Sequence, residues 1–121
     1  MAYEIINTKR SRSIIRVTGN TATTIPLTSL AIDANEVITG ASIAHIITAT
    51  DGWIRIYRGD NTSAPLIVAM YQSNDLPLTQ YDISLANTPS ANLHITNSGT
   101  DGTVILSVTK SATYATPLVG I

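Results

Sequence analysis

Isoleucine, valine and threonine recur through most of this chain, and their runs are cut at short intervals by Gly, Asn, Asp and Pro. β-Branched side chains crowd a helix but pack well on a pleated surface, so strand is the default reading. Period-two alternation sharpens it. Between Gly52 and Arg58, Ile54 and Ile56 fall on one face while Trp53, Arg55 and Tyr57 fall on the other. Between Thr103 and Lys110, Val104, Leu106 and Val108 share a face in the same way.

Further strands are expected at Arg12 to Thr18, Thr21 to Thr28, Glu36 to Thr50 with a bulge or corner at Gly40, Leu66 to Tyr71, Tyr81 to Leu85, and Ala91 to Thr96. Pro26 assigns the second of these runs to a sheet edge. Gly19-Asn20, Asp51-Gly52 and Asn97 to Gly102 read as hairpin turns, and residues 72 to 80 as a polar loop holding Pro77. The sum is about eight short strands with turns every 8 to 12 residues or so. That pattern is expected of an all-β, antiparallel β-sandwich of jelly-roll-like form. No helical period, internal repeat or flexible linker interrupts it.

The 121 residues fit one sandwich domain, 1–121, with room for a single core. Cysteine is absent, which excludes disulfides and thiolate chemistry. Charged residues are 12% of the chain, about half the usual share, and the formal net charge is −1. A nucleic-acid-binding domain would normally be strongly basic, so this balance argues against one. The first ten residues lack the charged start and apolar run of a secretory signal, so synthesis in the cytoplasm is expected. Polar residues interrupt every Ile-rich run before it reaches the roughly 20 residues of a membrane span.

Little in the sequence offers catalysis. His45 and His94 lie in separate expected strands without metal-ligand spacing, and Asp33, Asp51, Asp60, Asp75 and Asp101 sit where turn chemistry explains them. No phosphate loop or nucleophile elbow is present, so neither an enzyme nor a cofactor or metal site is expected. Arg58-Gly59-Asp60 matches an adhesion tripeptide, but these are ordinary strand-end and turn residues, and turn chemistry is the preferred reading.

Three features suggest contact with a partner. Lys9, Arg10, Arg12 and Arg16 hold four of the seven basic residues. They can grip an acidic partner surface or nucleic acid through their charge, or guard a solvated edge strand, and the sequence leaves both readings open. Residues 1–12 are expected to form an extended N-terminal arm. Residues 111–121 carry no charge and include Tyr114, Leu118 and Ile121, an apolar C-terminal tail that should pack on its own domain or on a neighbouring copy. Trp53, Arg55 and Tyr57 are of the types enriched at interfaces, and equally Trp53 could be the largest core residue.

Taken in order, Ile25 to Leu30, Gly52 to Gly59, Ala91 to Thr96 and Gly102 to Lys110 resemble small β-rich virion proteins of tailed bacteriophages, marine ones in particular. Within that group the chain is most similar to capsid decoration, or cement, proteins. The resemblance covers roughly residues 15 to 110 and rests on cadence and on the Trp53 to Gly59 strand. It implies a jelly-roll-like or sandwich domain that forms trimers and braces the major capsid protein on the capsid surface of the virion. It carries over no contact residues. Phage tail, neck and fibre modules share the same look, and a carbohydrate-binding, lectin-like module stacking sugars on Trp53 and Tyr57 is the alternative from another class.

Overall fold

The structure is a computed structural model that describes residues 1–9, 11–78 and 90–114. Among these residues the chain forms nine strands and one short 3-10 helix, Leu27–Leu30. The strands are β1 (Ala2–Thr8), β2 (Arg12–Thr18), β3 (Thr21–Ile25), β4 (Glu36–Thr50), β5 (Trp53–Arg58), β6 (Leu66–Tyr71), β7 (Asn74–Pro77), β8 (Leu93–Asn97) and β9 (Gly102–Tyr114).

Pairing is antiparallel throughout and nested: β5 with β6, β4 with β7, β3 with β8 and β2 with β9. Folding this long ribbon over brings β4 onto β9 and β5 onto β8. The result is two sheets in the orders β1-β2-β9-β4-β7 and β3-β8-β5-β6, which is the jelly roll, an all-β sandwich. The alternation seen in sequence puts Ile15, Val17, Val104, Leu106 and Val108 from one sheet against Ile54, Ile56, Leu93 and Ile95 from the other, all fully buried. Burying each such side chain contributes about 1.5–3 kcal/mol, so this interdigitated layer is the dominant stabilising term.

Several expectations need correction. Residues 2–8 are not a free arm but strand β1, whose inward Tyr3 and Ile5 pack on the core. The Thr-rich run ends at Ile25, because Pro26 leads into the 3-10 turn that buries Leu27 and Leu30. Residues 74–77 are a strand and not a loop, since β4, paired along its whole length with β9 on one side, offers β7 its other edge, with Pro77 at the strand's end where a missing donor costs nothing. Ser111 to Tyr114 belong to β9. The expected strand at Tyr81 to Leu85 lies outside the described residues.

The turns at 19–20, 51–52 and 98–101 are not hairpins, because the strands they join lie in different sheets. They are corners of the sandwich. Gly52 is also not glycine for positive φ, which among the described glycines belongs to Gly19 and Gly59. A Cβ on Gly52 would fall 2.7 Å from Gly99 Cα, so the β4–β5 and β8–β9 corners touch only because both are glycine. The expected bulge near Gly40 is present, between Ile38 and Gly40 of β4.

Candidate interaction surfaces

Strand β5 has Ile54 and Ile56 fully buried and sends Trp53, Arg55 and Tyr57 outward, so Trp53 is not a core residue. Across the ladder Trp53 faces Tyr71, with ring centroids 5.0 Å apart and planes tilted by 48°. Arg55 Cζ lies 5.2 Å from the indole centroid, a cation–π contact of about 0.5–1 kcal/mol at an exposed site. Tyr57 faces His94 at 6.1 Å, and His94 Nδ1 shares a 2.8 Å hydrogen bond with Thr24 Oγ1. Trp53, Tyr71 and Leu66 remain 40%, 48% and 49% exposed, so a cluster of Trp, Tyr and Arg stands in water at one end of the β5–β6 ladder and a wet Leu opposite Tyr57 at the other. Below it a cleft of about 430 Å³ opens between β6 and β7, lined by Trp53, Met70, Tyr71, Asn74, Asp75 and Leu76.

The basic residues end up on the opposite flank. Strands β1 and β2 begin the first sheet and β1 contacts β3, whereas the cleft shows β6 and β7 sharing the other side. Lys9 and Arg12 line a hollow of about 210 Å³ with Asn7 and Ile14. Arg16 does not join them, because its Nη2 donates to Glu4 Oε1 at 2.9 Å across the β1–β2 ladder. Arg10, Leu118 and Ile121 lie outside the described residues, and of Tyr114 only the backbone in β9 is described. The four-residue cluster is thus represented by the pair Lys9 and Arg12.

Two buried cations escaped the sequence reading. Lys110 faces inward two residues after Val108, and its Nζ donates to Glu36 Oε1 at 3.0 Å, Leu30 O at 2.8 Å and Thr8 Oγ1 at 3.0 Å. Glu36 Oε1 also accepts from Ile32 N–H at 2.9 Å, so the pair ties β1, β4, β9 and the 3-10 turn together at one end of the sandwich. Arg58 continues the inward parity of Ile54 and Ile56. Its Nη2 donates to Ala41 O at 2.6 Å, Nε and Nη1 have no hydrogen-bond partner among the described residues, and burial pulls its pKa down. Extending each alternation by one step would have located both.

Arg58-Gly59-Asp60 is therefore not presented as a unit. Arg58 points into the core, and Asp60 Oδ1 accepts from Asn92 Nδ2 at 2.8 Å. His45 and Asp75 form an exposed pair across β4 and β7. Asp51 is held below the ordinary carboxylate range by the side-chain and backbone hydrogen bonds of Thr100, which join the touching corners. Among the described residues no group of three His, Asp or Glu side chains is placed to hold a metal ion. No helix there is long and apolar enough to cross a membrane.

No protein-family model matches the sequence, and no curated protein does. Among solved structures the chain is similar to a cupin superfamily protein from Desulfitobacterium hafniense DCB-2, at 11% identity, with a TM-score of 0.38, over 90% of this chain and 75% of that one. The jelly roll is read here from the strand pairing itself.

Proposed function

We propose that the chain is a virion structural protein, a capsid decoration module that binds the outer face of a coat lattice and associates with copies of itself there. One observation carries the reading: a single rigid sandwich presents two chemically different surfaces on opposite flanks, Trp53, Tyr71 and Leu66 on one and Lys9 with Arg12 on the other. A brace needs two such surfaces. Trp, Tyr and Arg are the types that dominate binding energy at protein interfaces, and their contact with one another here fixes their rotamers before any partner arrives. The basic pair suits an acidic patch on the major capsid protein, and its neighbours Asn7 and Ile14 add no opposing charge.

The sugar-binding alternative draws on the same Trp53. Its ring, however, already contacts Arg55 and Tyr71, so a stacked sugar competes with Arg55 for the indole. A tail, neck or fibre module would use the same surfaces on a different shell. Co-sedimentation with undecorated coat shells is the test. Binding is expected at low salt and should weaken as ionic strength rises, because exposed charges are screened within about 8–10 Å near physiological salt. Lys9→Ala with Arg12→Ala should reduce both the binding and its salt dependence. Protein that never sediments with shells, yet binds on a glycan array, would overturn the reading in favour of the lectin-like one.

A further inference from the structure

A jelly roll leaves four sheet edges, and an exposed edge invites pairing with another chain unless it is blunted. Among the described residues three edges are blunted. β1 carries Glu4 and a bulge between Ile5 and Asn7. β7 is four residues long and contains Asp75 and Pro77. β3 is five residues of mostly Thr, stopped by Pro26. The fourth edge, β6, is Leu66-Ile67-Val68-Ala69-Met70-Tyr71, six residues without a charge, with Pro65 just ahead of it as Pro26 is just past β3.

The hydrogen-bond phase of β6 follows from its ladder. Gln72 N–H donates to Gly52 O at 2.8 Å, and the register pairs Met70 with Ile54 and Val68 with Ile56. In an antiparallel pair bonded and non-bonded positions alternate, so Met70 and Val68 bond inward to β5 while the N–H and C=O of Ala69 and the N–H of Tyr71 point off the edge, the Tyr71 carbonyl already accepting from Asn74 Nδ2 at 2.6 Å. We propose that this edge pairs with the β6 edge of a second copy, antiparallel across a two-fold axis at Ala69. The inference rests on the self-association part of the function proposed above.

A second copy is the occupant that fits. An isologous contact requires a strand complementary to its own reverse, and with no charge on β6 no like charges meet. Ala69, exposed and small, faces itself on the axis without collision. The same register sets Val68 against Met70 of the second copy on the core side. Pairing β6 with another edge of the second copy meets Glu4 on β1, Asp75 and Pro77 on β7, or the short, Thr-rich β3. The association is therefore two-fold, where the phage resemblance implies three-fold.

The full chain should elute as a dimer in size-exclusion chromatography with light scattering. Ala69→Lys and Ala69→Glu should each become monomeric, with the dimer dissociation constant raised at least about tenfold by like charges meeting on the axis. Mixing the two variants should restore the dimer mass, because Lys then faces Glu. In wild-type protein the amides of Ala69 and Tyr71 should exchange more slowly as concentration rises, a reading that needs no variant. A monomeric or trimeric wild type, an unaltered mass in either variant, a mixture that stays monomeric, or concentration-independent exchange at both amides would each overturn the pairing. Monomeric protein that still sediments with coat shells overturns the pairing and spares the decoration reading; a dimer that ignores shells does the reverse.

Discussion

Removing the charge of Glu36 should cost this domain a large share of its stability, and burial is the reason. The Lys110–Glu36 and Arg16–Glu4 pairs have nearly the same separation, 3.0 and 2.9 Å, but the first has both side chains 0% exposed while the second stands in water. An exposed pair contributes about 0–1 kcal/mol. Breaking a buried pair leaves an uncompensated charge in low dielectric and costs about 3–5 kcal/mol. Total stability for a domain of this kind is about 5–15 kcal/mol, so Glu36→Gln takes away a third or more in the middle of that range. With a urea m-value of about 1–3 kcal/mol/M, the unfolding midpoint should fall by at least about 1 M, read by far-ultraviolet circular dichroism. Glu4→Gln should move it by much less. The double variant Glu36→Gln, Lys110→Met should recover part of the loss, because no buried charge is then unpaired, although Leu30 O and Thr8 Oγ1 lose a donor. A midpoint unchanged by Glu36→Gln, or a double variant no more stable than the single one, would refute the argument.

Arg58→Met should leave stability unchanged or raise it, since among the described residues the guanidinium makes one hydrogen bond, to Ala41 O, and Met supplies volume without the desolvation cost; a thermal melt checks this. Gly52→Ala should destabilise by about 1–3 kcal/mol through overpacking of the two touching corners, seen as a Tm lowered by several degrees. Thr100→Val should raise the Asp51 pKa back toward the ordinary carboxylate range, followed by a carbon-detected NMR titration. Because the folded-state value is depressed, the stability that Asp51 contributes is present above the unfolded-state pKa and lost as pH falls through the folded one, so the variant should show a weaker acid-side decline.

Strands were legible in the sequence where an alternating or continuous apolar run is bounded by turn residues. Arg12–Thr18 and Leu66–Tyr71 have the same bounds in sequence and structure, and the inward sets of β5 and β9 follow from parity alone. Which strands pair was not legible. A two-residue turn reverses the chain equally well into the next strand of a sheet or around a sandwich corner, so Gly19-Asn20 and Asp51-Gly52 carry no mark of the sheet change. β7 was hidden because four residues holding Asp75 and Pro77 have little strand propensity of their own and form a strand by pairing with β4. The direction of Trp53 depended on which side of β5 the second sheet packs, a tertiary fact that residue type does not encode.

Scarcity of charge makes the position of each charged residue informative. Of the fifteen charged side chains, Glu36, Arg58 and Lys110 are buried, where they organise one end of the sandwich and the β5 terminus and contribute nothing to solubility. Glu4 and Arg16 neutralise each other across β1 and β2, and Asp75 meets His45 across β7 and β4, so on both flanks of the five-stranded sheet an edge strand carries a charge that discourages foreign strands. No charge is placed on β6, although single Lys or Glu substitutions at Ala69 would be sterically free on its exposed side. An edge left bare in a chain that blunts its other three edges is the pattern expected when that edge is covered in the working assembly. In the pairing proposed above, the adjoining Trp53, Tyr71 and Arg55 cluster would lie beside the same contact.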